Sequence, residues 1–409
     1  MALLSTPRSS LHSMNQARIR TDALFALLRP TALYHRPVAE RHRLIFYLGH
    51  LEAFDWNLIA PALGLPAFHP DFDRLFAFGI DPEPGQLPQD AAADWPESAE
   101  VHRYNAQVRR TLDSHRDEIP ADLLRVAIEH RLMHAETFAY LLHHVAFEYK
   151  HSPARSLPSP IAPCPVHRLI DIPEGQATLG KSRTRPSETF GWDNEYDEHA
   201  VTVPAFAITK YKVTNGQYLE FVRAGAPAPH FWIRHGSDWH VRTMFGEIPL
   251  PLDWPVYVTQ GEAQAYAGWA DGTLPTETQF HRAAYGTPNG DERRYPWGDA
   301  PPDASRGNFD FRFWDPISVS ASPLGDSAFG VSQLVGNGWE WTSTVFEPFP
   351  GFETFPFYPG YSAPFFDGAH YVMKGGSSQT ASCLLRRSFR NWFRSDYPYA
   401  YAGFRVVHN

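Results

Sequence analysis

The sequence predicts an α+β protein in two parts, with helices first and a strand-and-loop region after them. Three observations predict it. Apolar residues recur at helical spacing as far as about residue 149. Five prolines fall between His151 and Pro165. Beyond them, short alternating segments are separated by Gly, Pro and Asp, the pattern of strands and turns. A chain of 409 residues has room for two or three domains with their own cores.

In chain order, residues 1–15 read as a flexible leader. Residues 16–150 read as a four-helix bundle with one long crossing loop. The helices are expected at Gln16–Leu28, closed by Pro30; at Val38–Ala60, closed by Pro61; at Ser98–His115; and at Ala121–Tyr149. The Pro-, Asp- and Gly-rich stretch from Pro66 to Glu97 is the loop. Residues 151–166 form the linker and 167–409 the second domain. There, HRLIDIPEGQATLG and HAVTVPAFAITKYKVT read as strands, and Asn215–Ala224, Thr259–Asp271 and Thr276–Tyr285 as short helices. From Gly286 to Phe366 little regular structure is expected, and the last strands fall at Tyr371–Gly376 and Gly403–Val407.

Composition narrows the function. A net charge of −9 gives no general attraction to nucleic acid or to anionic membranes. No apolar run approaches a membrane span, and the N-terminus lacks a secretory apolar core. The two cysteines, Cys164 and Cys383, cannot build a disulfide framework or a CxxC knuckle. A reduced, cytoplasmic protein is expected. Twelve Trp, 18 Tyr and 29 Phe suit aromatic-lined pockets.

On a helix His130 and His134 leave one face a turn apart, as two ligands of one ion must. With 20 His in the chain, roughly one such pair arises by chance, so the pair requires a third ligand. His50, among apolar neighbours in the second helix, is that candidate. The alternative is a core histidine satisfied by Glu52 or Asp55. Three imidazoles with open positions suit zinc, ferrous iron, copper or nickel.

The second part carries eight ordered blocks: VPAFAITKYKVTNGQYLEFV (203–222), DWPVYVTQGEAQAYAGWA (253–270), LPTETQFHRAA (274–284), YPWGD (295–299), GNGWEWTSTVF (336–346), VMKGGSSQT (372–380), RRSFRNW (386–392) and GFRVV (403–407). Most of these residues are expected to be scaffold. Together they resemble the formylglycine-generating-enzyme-like fold, a modified C-type lectin scaffold. Its copper-dependent oxidases use a C-terminal cysteine pair, and here only Cys383 lies in that segment.

With YLGHLEAFDW (47–56) and EHRLMHAE (129–136) ahead of that domain, the chain resembles the sulfoxide synthases of ergothioneine biosynthesis. Those join a DinB-like bundle to the lectin-like domain. The resemblance implies ferrous iron on His50, His130 and His134, dioxygen as co-substrate, and bond formation between a chalcogen and the imidazole of hercynine, the betaine of histidine. It implies that Trp392 and nearby tyrosines face the quaternary ammonium, that Asn391 meets the carboxylate, and that Tyr358 or Tyr361 donates a proton or electron.

Departures from the family pattern bear on the donor. Phe393 stands where the γ-glutamylcysteine-using enzymes carry an aspartate, and Met133 where a polar residue is expected. The loop LFAFGIDPEPGQLPQD (75–90) has no arginine, and none occurs between Arg74 and Arg103. Carboxylate recognition ordinarily uses Arg or Lys. The branch implied is that of selenoneine synthases, with a selenosugar donor. The alternatives are a sulfoxide synthase using cysteine or γ-glutamylcysteine, a DinB-like zinc thiol transferase, and a non-catalytic binding protein on the lectin-like scaffold.

Overall fold

A computed structural model describes residues 7–77, 87–152, 163–166, 168–184 and 190–408. Residues 1–6 of the expected leader and most of the expected linker lie outside the described residues. The chain divides into two units, Met1–Arg155 and Ser156–Asn409.

The first unit is helical: α1 (Pro7–Phe25), α2 (Leu44–Ile59), the short α3 (Pro70–Leu75), α4 (Ser98–Ser114) and α5 (Ala121–His144). On α4 the buried residues Val101, Tyr104, Asn105, Val108 and Leu112 recur every three or four positions, so one stripe is covered and the rest is polar. By contrast α2 is buried from Leu44 to Trp56, as a central helix must be. It packs against α4 and α5, and α1 packs against α5.

Three boundaries differ from expectation. The first helix begins at Pro7 rather than Gln16, with Met14 already in the core. Proline suits a first helical turn, where its missing N–H leaves no bond unmade. α2 begins at Leu44 rather than Val38, because Arg43 is extended and its guanidinium, with that of Arg36, is tied to Asp90. α5 stops at His144, and Phe147–Tyr149 forms a separate 3₁₀ turn.

The second unit holds β1 (Leu169–Ile172), β2 (Gly175–Leu179), β3 (His199–Val203), β4 (Phe206–Thr209), α6 (Asn215–Arg223), β5 (Trp232–His235), β6 (Asp238–Arg242), β7 (Glu247–Pro249), α7 (Gln260–Trp269), α8 (Glu277–Tyr285), β8 (Trp339–Val345), β9 (His370–Lys374), β10 (Asn391–Arg394), β11 (Ala402–Gly403) and β12 (Val407–His408). Its sheets run β1-β4-β12, β10-β9-β8-β11, β2-β3 and β5-β6-β7. Each of the three helices starts with a capping box, Thr214 with Gln217, Thr259 with Glu262 and Thr276 with Gln279.

The sequence blocks meet in buried ion clusters. Glu340 of GWEWT lies between Lys212 of KYKVT, at 2.7 Å, and Arg405 of GFRVV, at 2.9 Å. Glu277 of α8 pairs with Arg390 at 3.1 Å, and Glu195 is gripped by Arg386 and Ser388. Buried charge is tolerated only when paired in this way. Gly375, at φ +97°, lies where a Cβ would meet the Leu334 carbonyl. The segment 403–407 is not one strand. It leaves the β8 sheet at Gly403 and joins β4 at Val407, with Arg405 turned inward between them.

Candidate metal centre

α2 and α5 bring His50, His130 and His134 together. One ring nitrogen of each lies within 4.8 Å of the others, and the ring centroids are 4.5–5.2 Å apart. His50 and His130 are buried and His134 is half-buried. Glu52 and Asp55, the carboxylates considered as partners for His50, are engaged elsewhere. Both bind Arg131, which is fully buried, at 2.9 and 2.6 Å. Arg109 also binds Glu52, at 2.6 Å.

Instead, the Nδ1–H of His50 donates to the main-chain oxygen of Phe76, at 2.6 Å. The donor position fixes the tautomer, so Nε2 carries the lone pair. That Nε2 is buried and has no hydrogen-bond partner among the described residues. Such an atom is costly to bury unless something binds it, and a metal ion is the natural occupant beside two more imidazoles. Burial lowers the pKa of His50 to about 4 against the pull of the Phe76 carbonyl. Burial, then the neighbouring histidines, hold His130 well below 6.5, and burial and His50 do the same for His134. All three are therefore neutral at pH 7, the state in which imidazole binds metal. Phe54 stacks on His130 at 3.4 Å, and Phe46 on His50 at 4.9 Å, so aromatic rings wall the cluster. Met133 is half-buried on α5.

In the second unit, Tyr361 stacks on Trp192 at 4.1 Å and meets Trp392 edge-on at 5.4 Å. Tyr358 lies 5.6 Å from Tyr361, ring to ring. Burial, then the charge of Asp193, pushes the Tyr358 hydroxyl up to about 12. Alternation along β10 separates the other candidates. Trp392 stacks on Phe346, while Asn391 and Phe393 point to the opposite side. Phe393 lies flat on Tyr397 at 4.5 Å. The Oδ1 of Asn391 accepts the N–H of Trp392, which leaves its NH₂ as the group to donate.

Residues 155–409 match the family model for a sulfatase-modifying factor enzyme 1-like domain. Beyond that domain, the chain is 36% identical over 340 residues to a hercynine oxygenase of Mycolicibacterium thermoresistibile, covering 76% of this chain and 74% of that one. The chain belongs to the hercynine oxygenase family. The hercynine oxygenase of Mycobacterium tuberculosis is 40% identical over 241 residues, covering 53% of this chain and 55% of that protein. Ergothioneine biosynthesis protein 1 of Neurospora crassa is 28% identical and covers 93% of this chain, which spans 55% of the fungal protein's length.

The sequence reading missed the residues around the histidines of this hercynine oxygenase relative. Arg131 adjoins His130 in sequence, but nothing local showed that Glu52 and Asp55 would be its partners. The carbonyl of Phe76 leaves no mark in a sequence at all.

Proposed function

We propose that this protein is an oxygen-dependent enzyme that joins a chalcogen donor to the imidazole of hercynine, with ferrous iron held by His50, His130 and His134. One observation carries the reading. Three neutral imidazoles converge within a chain whose relatives are named for hercynine oxygenation. Iron, when bound, supplies the place where dioxygen and the incoming chalcogen are activated together. The protein's part is to hold that ion on neutral ligands and to orient the substrates.

The Asn391 NH₂ donates to the carboxylate of hercynine, while Trp392, on the other side of β10, packs on Phe346 and steadies the strand. With a hydroxyl pKa near 12, Tyr358 keeps its proton at neutral pH and can give it up in the reaction. Tyr361 is the second candidate for that role.

The donor we propose is a selenosugar. Phe393, flat against Tyr397, offers no carboxylate to an amino group. The two arginines that reach the end of the 75–90 loop, Arg36 and Arg43, share the one carboxylate of Asp90 and otherwise bond main-chain oxygens. Its residues 78–86 lie outside the described residues, but they include no Lys or Arg. That leaves at most one uncompensated positive charge for a polyanionic thiol, whereas a neutral sugar needs none. The second reading, favoured by the name of the fungal relative, is an ergothioneine-type enzyme that takes cysteine or γ-glutamylcysteine. Incubation with hercynine, oxygen and each donor, followed by mass spectrometry, separates the two. A carbon–selenium product from the selenosugar is expected. Turnover with the thiols and none with the selenosugar would overturn the donor assignment.

A further inference from the structure

We infer that Phe76 is a positioning residue of the metal centre, acting through its main-chain carbonyl on His50. The inference rests on the reading of the three histidines as metal ligands. It goes beyond that reading by assigning the control of one ligand to a specific bracket between helices.

The bracket is built from both neighbouring helices. α3 is only six residues long and cannot hold itself in place. Asp73 in its middle does so. The Asp73 carbonyl accepts from Asn57 of α2 at 2.9 Å, and its carboxylate accepts from Tyr104 of α4 at 2.7 Å. Phe76 caps the helix, its N–H bonded to Phe72 at 3.0 Å, so its own carbonyl is left to face α2. There it accepts from His50.

The Phe76 ring fixes the approach. It is fully buried and lies over Gly49, the residue before His50, so that a Cβ at Gly49 would stand 2.6 Å from three ring carbons. Gly49 has ordinary helical geometry and no positive φ, so its backbone does not require glycine. The close approach of the ring does. Glycine in a helix interior costs about 0.5–1 kcal/mol relative to alanine, and here it admits the ring that carries the carbonyl to His50. Trp95 packs on both Phe76 and Phe46, and Phe46 stacks on His50. The ligand is therefore held by its N–H and by its face.

Outer partners of metal-bound histidine are worth about 10–100-fold in metal affinity. Metal-free full-length protein is to be reloaded with zinc as the probe ion, with affinity measured by chelator competition. The His50 Nδ1–H is read by NMR of ¹⁵N-histidine-labelled zinc protein. Gly49→Ala is expected to weaken zinc binding by about 10-fold or more, and Tyr104→Phe, which acts through Asp73, by several-fold, each with faster exchange of the His50 Nδ1 proton. Leu112→Ala, which opens the α4 core away from the bracket, serves as the control. It is expected to lower thermal stability while leaving zinc affinity within about 2-fold and the N–H signal in place. If Gly49→Ala does not fold, Tyr104→Phe carries the test. Unchanged affinity and exchange in the bracket variants, or equal losses in Leu112→Ala, would overturn the inference. His50→Ala separates the two levels. If wild type binds zinc no more tightly than His50→Ala, the metal-centre reading fails as well.

Discussion

His50 is held at two points of its ring, its Nδ1–H bonded to a carbonyl and one face against Phe46, and it clusters with His130 and His134. Loss of a direct ligand is expected to cost at least the upper end of the ~10–100-fold attributed to outer partners. His50→Ala and His134→Ala should therefore bind less than about a hundredth as much iron at limiting metal, measured by elemental analysis of reloaded protein. Arg131 plays a different part. It neutralises Glu52 and Asp55 in a site closed to solvent. Arg131→Leu strands Asp55 and leaves Glu52 to Arg109 alone, and should destabilise the metal-free protein by about 3–5 kcal/mol, seen as a lower urea midpoint with an unchanged slope.

At the scale of elements, the helices that carry the histidines were legible because their apolar patterns are long. α5 is buried over most of its length, and α2 is apolar almost throughout. Their ends were less so. The start of α2 is set by Arg36 and Arg43 reaching Asp90, a contact across some fifty positions that no local window contains. The β5-β6-β7 sheet went unread because WIRH and DWHVR mix charge with aromatics and their burial does not alternate, as in a strand with one covered face it would. The histidine pair could be read from spacing and His50 as third candidate from its place among apolar neighbours, where the resemblance supported it over a core histidine, while the Phe76 carbonyl could not be read at all. In the second unit α8 is the element to test. Its cap, Thr276, accepts from the Gln279 N–H at 3.1 Å, and its first residue, Glu277, is the buried partner of Arg390. Thr276→Ala should cost about 1 kcal/mol by thermal denaturation, with Thr276→Ser close to wild type.

The whole chain behaves as two units, each with a buried ionic core that sets its acid stability. In the first unit the two carboxyls beside Arg131 move in opposite directions: Arg131 and Arg109 bring Glu52 down to about 2 against its burial, while burial raises Asp55 to about 6. In the second unit Glu195 is held below 4.5 by Arg386 and its hydrogen bonds, against its burial. A carboxyl whose folded pKa lies below its unfolded one binds fewer protons in the native state, so the contribution of Glu195 is full above about pH 4.5 and is lost as the pH falls below that. Denaturation from pH 6 to 2.5 should show that loss in the second unit, and Glu195→Gln should flatten it. Among the described residues no helix is long and apolar enough to cross a membrane. The central claim, hercynine-dependent oxygen chemistry at the three-histidine centre, is tested most directly by an oxygen electrode. Iron(II)-loaded protein, supplied with a selenosugar, should consume oxygen only when hercynine is added, and the His134→Ala variant should not respond. Oxygen uptake that ignores hercynine, or that survives loss of His134, would contradict the account.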